Sequence, residues 1–410
     1  MNPREVLIIG GGASGLTAAI SAARKGARVT LIEGLNRVGK KILATGNGRC
    51  NLSNMTADKI HYHGENPEFM EYVVSQVTVE ETLGFFQLLG LETKVEEGGK
   101  VFPLSDQASG VLDLLRYEVE KLGVRQILGD PVISLEKKAP EFTLKTASGK
   151  KILGDRVILA TGGKSAPKLG STGTGYALGK ALGHSMTPVF PALVQIKCEN
   201  PGFRNMKGVK IQGRIRSELK GRTLREEKGE ILFTDYGVSG PPVLQLSRGI
   251  AESLGREERP GIVIDFFPEI PEEKLYETLW MMVSLDGEKP LDFSLIGLLN
   301  KKVIPVVLRE IGVENLKKPC GEVGDQEIQK LTRLLKACRL KPSGTLSWKD
   351  SQVTAGGFRT KEIHPNTLES KTVPGLYFAG EVLDIDGDCG GFNLQWAWSS
   401  GIVAGERAAR

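Results

Sequence analysis

The chain has 410 residues, of which 40% are hydrophobic and 25% charged, a balance that is ordinary for a globular protein with room for several domains. Its net charge of +5 is too small to indicate a nucleic-acid partner but is compatible with an anionic, phosphorylated ligand. Its 51 glycines cluster in short runs rather than in repeats. Such runs are typical of backbone that approaches a ligand closely.

The spacing of the cysteines and the length of the apolar segments indicate the cellular compartment of the protein. Five cysteines lie far apart without a CxxC pair, which fits unpaired thiols in a reducing compartment. The N-terminus runs into an apolar strand without the apolar core of a secretion signal, and no apolar run approaches the length of a membrane span. We therefore expect a cytoplasmic protein with no membrane contact. His61 and His63 form an HxH pair without a third ligand, so no metal site is predicted.

Hydrophobic periodicity gives the order of the elements. A βαβ unit is predicted from an apolar strand at 6–9, an alanine-rich helix at 16–25 and a strand at 28–32. The next segments predict helices and then antiparallel strands before one more apolar strand, at 67–89, 107–122, 132–136, 142–146, 151–153 and 157–160. Later segments predict a β-rich lobe, a helical stretch, a strand and a last helix, at 193–267, 271–336, 375–379 and 394–409.

The segment Gly10–Gly15 matches GxGxxG between the first predicted strand and the first predicted helix. Gly10 permits a tight turn, Gly12 lets the backbone approach a pyrophosphate, and Gly15 lets the helix pack on the strand. Glu33 ends the second strand, where its carboxylate can accept hydrogen bonds from ribose hydroxyls and would repel a 2′-phosphate. The unit therefore predicts a cradle for FAD or NAD rather than for NADP.

Three later segments favour FAD. Residues 160–163 (ATGG) and the pair Gly380-Glu381 each follow an apolar strand, and both resemble segments of FAD-dependent oxidoreductases of the glutathione-reductase type. Residues 390–394 (GGFNL) open the last predicted helix, whose N-terminal dipole can stabilise negative charge on the N1–C2=O edge of a reduced flavin. Because the three segments occur in the order that this fold requires, we predict FAD.

Four segments carry a more specific resemblance, to the HI0933-like family of bacterial flavoproteins, and they are 37–41 (RVGKK), 45–54 (TGNGRCNLSN), 237–241 (GVSGP) and 390–398 (GGFNLQWAW). The resemblance runs through nearly the whole chain. It implies an α/β fold, in which a Rossmann-like FAD-binding domain of the glutathione-reductase type carries a β-rich, barrel-like insertion and a small helical one. The expected boundaries are 1–190 with 350–410, 191–269 with 337–349, and 270–336.

The motifs and the resemblance together predict a set of cofactor-binding residues: Gly10, Gly12, Ala13, Ser14, Gly15, Glu33, Lys40, Lys41, Thr45, Gly46, Asn47, Arg49, Val132, Ala160, Thr161, Gly162, Gly380, Glu381, Gly391, Phe392, Asn393 and Leu394. Within this set, the two lysines would offset the charges of the pyrophosphate, although a solvated basic pair is an alternative. The loop 45–49 offers small residues, an amide and a guanidinium to the flavin ring, although a purely structural glycine loop is an alternative. Val132 lies where such proteins read adenine with a strand backbone.

The mode of flavin binding and the electron donor follow from absences in the sequence. No histidine lies in sequence beside the predicted flavin segments, so we expect non-covalent FAD. Residues 170–175 (GSTGTG) lack a preceding strand and a following acid, so they do not predict a second nucleotide site. NADH or NADPH would then act as a transient electron donor that binds at the flavin face.

The sequence does not assign a catalytic residue. Asp384, Asp386 and Asp388 precede the last helix, and one of them could act as an acid or base if it were buried, but solvated loop acids are the favoured interpretation. Cys50 and Cys389 lie in predicted flavin segments, where small buried residues are favoured over a redox-active thiol.

The predicted function is that of an FAD-dependent oxidoreductase that passes hydride through flavin N5 to or from a small organic substrate. The resemblance implies reduction of a conjugated enone of the 3-dehydro-bile acid type, because one branch of the family is named for it, and an amine oxidase-type activity is an alternative. A reductase is favoured over an oxidase. A tRNA-modifying activity also stays open because residues 204–228 are rich in Lys and Arg. The glutamates within that stretch and its lack of aromatics favour a solvated hairpin, so a nucleic-acid partner is disfavoured.

Overall fold

The computed structural model describes residues 3–410. The helices are α1 (Ala13–Arg24), α2 (Phe69–Val74), α3 (Val79–Gln87), α4 (Ala108–Lys121), α5 (Thr174–Ala181), α6 (Pro241–Gly255), α7 (Glu272–Ser284), α8 (Leu291–Ser294), α9 (Ile304–Glu310), α10 (Asp325–Lys336) and α11 (Phe392–Ala408). The strands are β1 (Glu5–Ile9), β2 (Arg28–Glu33), β3 (Ser53–Asn54), β4 (Tyr62–His63), β5 (Thr93–Val95), β6 (Lys100–Pro103), β7 (Arg125–Leu128), β8 (Val132–Lys138), β9 (Glu141–Thr146), β10 (Lys151–Gly154), β11 (Arg156–Leu159), β12 (Phe190–Ala192), β13 (Ile196–Cys198), β14 (Lys210–Leu219), β15 (Arg222–Phe233), β16 (Gly237–Ser239), β17 (Gly261–Asp265), β18 (Cys338–Leu340), β19 (Pro342–Thr345), β20 (Val353–Ala355), β21 (Leu376–Phe378) and β22 (Asp386–Gly387). None of these helices is long and apolar enough to cross a membrane.

The chain divides into two compact units, one built from residues up to Pro191 together with Ser351–Arg410, and the other from Ala192–Asp350. The first unit contains a parallel sheet in the order β21-β11-β1-β2-β7. Its strands consist mainly of buried aliphatic residues because helices cover both faces of such sheets. The predicted α/β fold with a Rossmann-like sheet is confirmed, and the meander β8–β10 forms its own antiparallel sheet.

Helices α1 and α11 approach each other backbone to backbone within the first unit. A Cβ atom added to Gly401 would lie 2.2 Å from Thr17 Oγ1, and one added to Gly405 would lie 2.4 Å from Ala18 O. No larger residue fits at these two positions of α11. The one-turn spacing of these two glycines therefore gives α11 a side-chain-free stripe on which α1 lies.

The segment 67–89 differs from its prediction as a single helix. It forms α2 and α3, separated at residues 75–78, because Thr78 starts a new helix with a capping box. The Thr78 hydroxyl accepts a hydrogen bond from Glu81 N, and the Glu81 carboxylate accepts one from Thr78 N. This reciprocal pair satisfies backbone donors at the start of α3 and so fixes the break.

The second unit is built on an antiparallel sheet in the order β18-β17-β14-β15-β16-β13-β19. Strands β14 and β15 form a long hairpin, and the helices α6 to α10 belong to the same unit. Residues of the sheet and of these helices contribute to one hydrophobic cluster. The finer partition of this unit into a β-rich and a helical lobe stays a prediction.

The contact between α1 and α11 generates a test of packing. We expect Gly405→Ala to lower the free energy of unfolding by about 1–3 kcal/mol, because the added methyl group overpacks against the α1 backbone. The matched control is Gly84→Ala in α3, where a Cβ atom meets nothing within 4 Å and higher helix propensity should be neutral or slightly stabilising. Chemical denaturation of both variants measures the difference. Equal stability of the two variants would contradict the packing argument.

Candidate functional site

The loop Gly10–Gly15 connects β1 to α1, as predicted. Gly10 has φ = +104°, and a Cβ atom on Gly15 would lie 1.8 Å from Gly10 O, so both glycines are required by the fold itself. Gly12 differs, because a Cβ atom there meets no described atom within 4 Å. Helix α1 also begins without a side-chain cap and without an acidic residue in its first turn. The N-terminal N–H groups of α1 are therefore available to an anionic ligand.

The ATGG segment and the pair Gly380-Glu381 both adjoin this loop. Ala160 N donates to Ile9 O (2.9 Å), and a Cβ atom on Gly10 would lie 2.4 Å from Ala160 O. Gly380 has φ = +76°, and its added Cβ atom would lie 2.6 Å from Ser14 Oγ. Three predicted segments that are distant in sequence thus surround the start of α1.

An ion pair joins two residues predicted to bind the cofactor. Lys41 Nζ lies 2.8 Å from Glu381 Oε2 and 2.8 Å from Ser165 Oγ. Glu381 also accepts hydrogen bonds from Thr354 N (2.7 Å) and from the Ser165 hydroxyl (2.9 Å). Burial alone would raise the pKa of the Glu381 carboxyl, but Lys41 and these donors hold it below its ordinary value. The carboxylate is therefore ionised, and it fixes the position of the Lys41 ammonium group.

Glu33 and Val132 lie on neighbouring segments, as the adenosine prediction requires. Glu33 Oε2 accepts a hydrogen bond from Gly11 N (2.7 Å) and Oε1 accepts one from Leu35 N (2.8 Å), so the carboxylate is held at the end of β2. Asp130 N donates to Glu33 O (3.3 Å), which brings the start of β8 beside it. Each carboxylate oxygen retains a lone pair for a further donor.

The loop 45–49 is held by its own contacts. Gly46 and Asn47 adopt left-handed backbone conformations and are exposed, and Thr45 Oγ1 donates to Ile42 O (2.6 Å). The Arg49 guanidinium pairs with Glu96 (2.5 Å) and Asp106 (2.6 Å), which raises its pKa. Arg49 therefore anchors the loop through these acids, and its use as a donor to the flavin ring stays a prediction.

The start of α11 packs against the segment that follows this loop. Gly391 has φ = +105°, and its added Cβ atom would lie 2.2 Å from Ser53 O and 2.9 Å from Asn51 Oδ1. Phe392 is buried and Leu394 is partly buried against the same core, whereas the Asn393 side chain bonds the backbone at Gly387. Helix α11 has no side-chain cap and no acid in its first turn, so it presents a second helix N-terminus in the same unit.

Four predicted positions remain, and they are Ala13, Lys40, Thr161 and Gly162. Ala13 starts α1, and Thr161 packs against α5, where a Cβ atom on Gly175 would lie 1.9 Å from Thr161 Oγ1. Gly162 has φ = +66°, which glycine adopts without strain. Lys40 is half-buried and makes no ion pair among residues 3–410.

The interpretation of the three aspartates as solvated loop acids is wrong. Asp384, Asp386 and Asp388 are only 3%, 2% and 6% exposed. The segment pairs with β4 through β22, and a backbone donor to Asp384 and imidazole donors to Asp388 offset the burial of these two carboxylates. Asp384 Oδ2, for example, accepts a hydrogen bond from Glu65 N (2.9 Å).

Two histidines that lie outside the predicted flavin segments in sequence approach one of them in the fold. His61 Nδ1 lies 3.3 Å from Asp388 Oδ2, and His63 Nε2 lies 2.8 Å from Asp388 Oδ1. The His61 ring stacks on Phe392 with centroids 4.2 Å apart. These contacts join residues more than 300 positions apart, so no local sequence pattern could have revealed them.

Two buried polar atoms and two thiols complete the description. Among residues 3–410, five buried side-chain polar atoms lack a hydrogen-bond partner, and two of them are Asn51 Oδ1, which lies beside Gly391, and the Tyr176 hydroxyl. Such orphaned atoms are rare in folded proteins, so they fit a site that a ligand completes.

Burial raises the pKa of the Cys50 thiol to about 11 and also raises that of Cys389, so neither group is a thiolate at neutral pH.

Sequence reasoning missed Ser165, Thr354, Asn51 and Tyr176 as parts of this arrangement. Ser165 lies two residues after the ATGG segment and Asn51 lies within the TGNGRCN segment, so both had a local signal. Thr354 and Tyr176 had none, because only the fold brings them beside the predicted residues.

The sequence matches one protein-family model and three curated proteins over nearly its whole length. Residues 4–407 match the model of the family described as "HI0933-like protein Rossmann domain". The chain belongs to this family. It is 43% identical to a 3-dehydro-bile acid delta(4,6)-reductase of Clostridium scindens, with 98% of each chain covered. It is also 32% and 30% identical to ribosomal RNA dihydrouridine synthases of Escherichia coli and Haemophilus influenzae, with 97% of this chain and 96% of each relative covered. The prediction of an oxidoreductase is confirmed.

The open space at Gly12 gives a sharp test of the predicted cofactor site. We expect Gly12→Val to fold normally but to purify without FAD, because its side chain meets no protein atom yet occupies the approach to the start of α1. The matched control is Gly249→Val in α6, where a Cβ atom also meets nothing within 4 Å. Flavin absorbance per protein and circular dichroism measure both effects. Stoichiometric FAD in Gly12→Val would place the pyrophosphate elsewhere.

The Lys41–Glu381 pair gives a pH-dependent prediction. We expect Lys41→Met to lower the free energy of unfolding of the FAD-free protein by about 3 kcal/mol at pH 7, because Glu381 then lacks its cation. In the wild type the pKa of Glu381 is lowered, so its stabilisation is complete above its unfolded pKa and is lost as the pH falls. The variant should therefore approach the wild type as the pH falls towards about 4.

The control for this prediction is the double variant Lys41→Met/Glu381→Gln, which removes the charge together with its partner. It should recover much of the loss at pH 7, as measured by denaturant unfolding. A deficit of Lys41→Met that is the same at every pH would rule out the electrostatic explanation.

Proposed function

We propose that the protein binds FAD non-covalently and reduces a carbon–carbon double bond conjugated to a carbonyl group in a small, steroid-like substrate. The observation that carries the cofactor assignment is the convergence of the Gly10–Gly15 loop, the ATGG segment and the pair Gly380-Glu381 around an uncapped helix start with open space at Gly12. That arrangement suits a dinucleotide pyrophosphate.

The residues of this chain would hold the cofactor in distinct ways. Glu33 is positioned to accept hydrogen bonds from ribose hydroxyls, and the start of α1 supplies N–H groups to the pyrophosphate. Lys41, held by Glu381, supplies a fixed positive charge. Asn51 Oδ1 offers an unsatisfied acceptor at the start of α11. Bound FAD would supply hydride transfer at its N5 atom.

Helix α11 adds an electrostatic element. Its N-terminus carries positive partial charge, and neither a side-chain cap nor an acidic residue in the first turn offsets it. A reduced cofactor edge or an enolate oxygen, both of which carry negative charge, would be stabilised there.

The proposed reaction class rests on what the relatives have in common. A 3-dehydro-bile acid delta(4,6)-reductase acts on double bonds conjugated to a 3-oxo group, and dihydrouridine forms when the uracil double bond next to a carbonyl is reduced. Each of these reductions formally adds a hydride and a proton across a double bond that is conjugated to a carbonyl group. The higher identity, 43% against 32%, supports the small-molecule substrate for this chain.

Reduction of uridine in RNA is the second candidate, which the two dihydrouridine synthases favour. The basic hairpin β14–β15 is the segment that could contact RNA. Seven basic side chains in or next to this hairpin form ion pairs within the second unit: Lys207, Lys210, Arg214, Arg216, Lys220, Arg225 and Lys228. Paired cations are less available to phosphates than free ones are, so this hairpin supports the small substrate.

An anaerobic half-reaction experiment tests the proposal. We expect purified protein to contain FAD, to be bleached by NADH or NADPH, and to be reoxidised by a 3-oxo-Δ4 or Δ4,6 steroid with formation of the saturated ketone. Stopped-flow absorbance of the flavin and mass spectrometry of the product measure these steps. The Gly12→Val variant, which should lack FAD, controls for reaction without the site.

Other outcomes separate the alternatives. Reoxidation by a ribosomal RNA fragment, with dihydrouridine in the product and no reaction with the enone, would replace the proposal by RNA modification. Reduction of the oxidised flavin by a primary amine, followed by rapid reaction with oxygen and release of peroxide, would replace it by an amine oxidase.

A further inference from the structure

The buried carboxylate of Asp388 lies within hydrogen-bond distance of the imidazole rings of His61 and His63 at the start of α11. We call these three residues the clasp. The two oxygens of Asp388 contact His61 Nδ1 (3.3 Å) and His63 Nε2 (2.8 Å), and Asp388 itself is 6% exposed. The two imidazole side chains are 28% and 26% exposed, so solvent or a small molecule can reach them. The carboxylate uses one oxygen for each ring, which leaves His61 Nε2 and His63 Nδ1 for other contacts.

Independent contacts hold this cluster against α11. The His61 ring lies nearly parallel to Phe392, with an interplanar angle of 19°, and the Tyr62 hydroxyl donates to Phe392 O (3.0 Å). The Asn393 amide donates to Gly387 O (2.7 Å) and accepts from Gly387 N (2.8 Å), which fixes the residue before Asp388. The pairing of β4 with β22 places the histidine segment beside this loop. The imidazoles are therefore pre-positioned at the first turn of α11.

The proposed reduction requires a proton donor that works near neutral pH. Burial raises the pKa of Tyr62 and of Tyr176, and it raises that of Cys50 to about 11, so these groups are poor donors at pH 7. The chain has only four histidines, and two of them are in this clasp. Imidazole is the side chain whose ordinary pKa, about 6.5, suits the task.

We propose that His61 is the proton donor of the reduction and that Asp388 is its positioning residue, with His63 completing the clasp. This assignment rests on the proposed function, since it concerns the same reaction. After hydride from the reduced cofactor forms the C–H bond at the β carbon, the α carbon carries the electron pair of an enolate. His61 donates as an imidazolium that is protonated on both nitrogens: its Nε2–H bond breaks, the α C–H bond forms, and the ring is left neutral with its proton on Nδ1. It then regains a proton at Nε2 from solvent.

The tautomer of His61 tests the positioning by Asp388 without any turnover. An ionised carboxylate only accepts hydrogen bonds, so the neutral rings must carry their protons on His61 Nδ1 and His63 Nε2. Long-range ¹H–¹⁵N spectra of the FAD-bound protein with ¹⁵N-labelled histidine report these tautomers. We expect the Nδ1–H form at His61 and its loss in Asp388→Asn. An Nε2–H form at His61 in the wild type would overturn the positioning role.

The half-reactions test the donor role in the holoenzyme. In His61→Gln we expect normal FAD content and normal reduction by NADH, but reoxidation by the enone about 100-fold slower or more. His63→Gln should slow reoxidation less than about tenfold, because this ring only completes the clasp. The matched control His364→Gln, at an exposed histidine outside the clasp, should behave as the wild type.

The face of proton delivery provides a readout that a merely structural residue would not change. In D₂O, the wild type should place deuterium on one face of the α carbon, whereas His61→Gln should label both faces because water protonates the enolate. The donor role alone would be overturned if the enone reoxidised the wild type and His61→Gln showed the same reoxidation rate and the same single-face labelling. Failure of the enone to reoxidise wild-type protein would overturn the proposed function and this assignment together.

Discussion

Helices α1 and α11 lie backbone to backbone, and that contact sets the relative position of the two predicted cofactor segments at their N-terminal ends. Gly401 and Gly405 remove the side chains that would separate the helices, and Gly15 does the same between α1 and the preceding turn. Because both helix starts belong to one rigid framework, two uncapped N-termini with positive partial charge occur in the same unit. One N-terminus would stabilise the anionic pyrophosphate of a bound dinucleotide, and the other would stabilise negative charge on its electron-accepting ring.

The half-buried carboxylate of Glu381 and the buried carboxylate of Asp388 are stabilised in different ways, and the difference suits different tasks. Glu381 is matched by a cation, a hydroxyl and a backbone N–H, so its charge is fixed and it acts as an anchor for Lys41. Asp388 is matched by two imidazoles, whose own charge changes with protonation. The first arrangement holds a static charge beside the predicted pyrophosphate site, whereas the second can exchange a proton with its surroundings.

The sequence was most informative where backbone geometry demands a residue type. GxGxxG, the ATGG segment and the acid at the end of β2 each predicted a local structure that the protein adopts, because glycine spacing follows from turn and packing geometry. Side-chain partners were less predictable. Arg49 pairs with Glu96 and Asp106, and Asp388 with two histidines, and each choice depends on tertiary contacts that periodicity does not encode.

The chemistry shared by the relatives explains how one scaffold could serve both a steroid and a nucleobase. If hydride adds to the conjugated double bond of either substrate, negative charge develops towards the carbonyl oxygen, and the proposed reaction would use a helix N-terminus for that charge and an acid for the carbon that is protonated. Neither requirement involves the rest of the substrate. Under the proposed function, substrate choice would be set by residues outside the reacting centre, whereas the proposed cofactor site and the proposed acid at the start of α11 would serve either substrate.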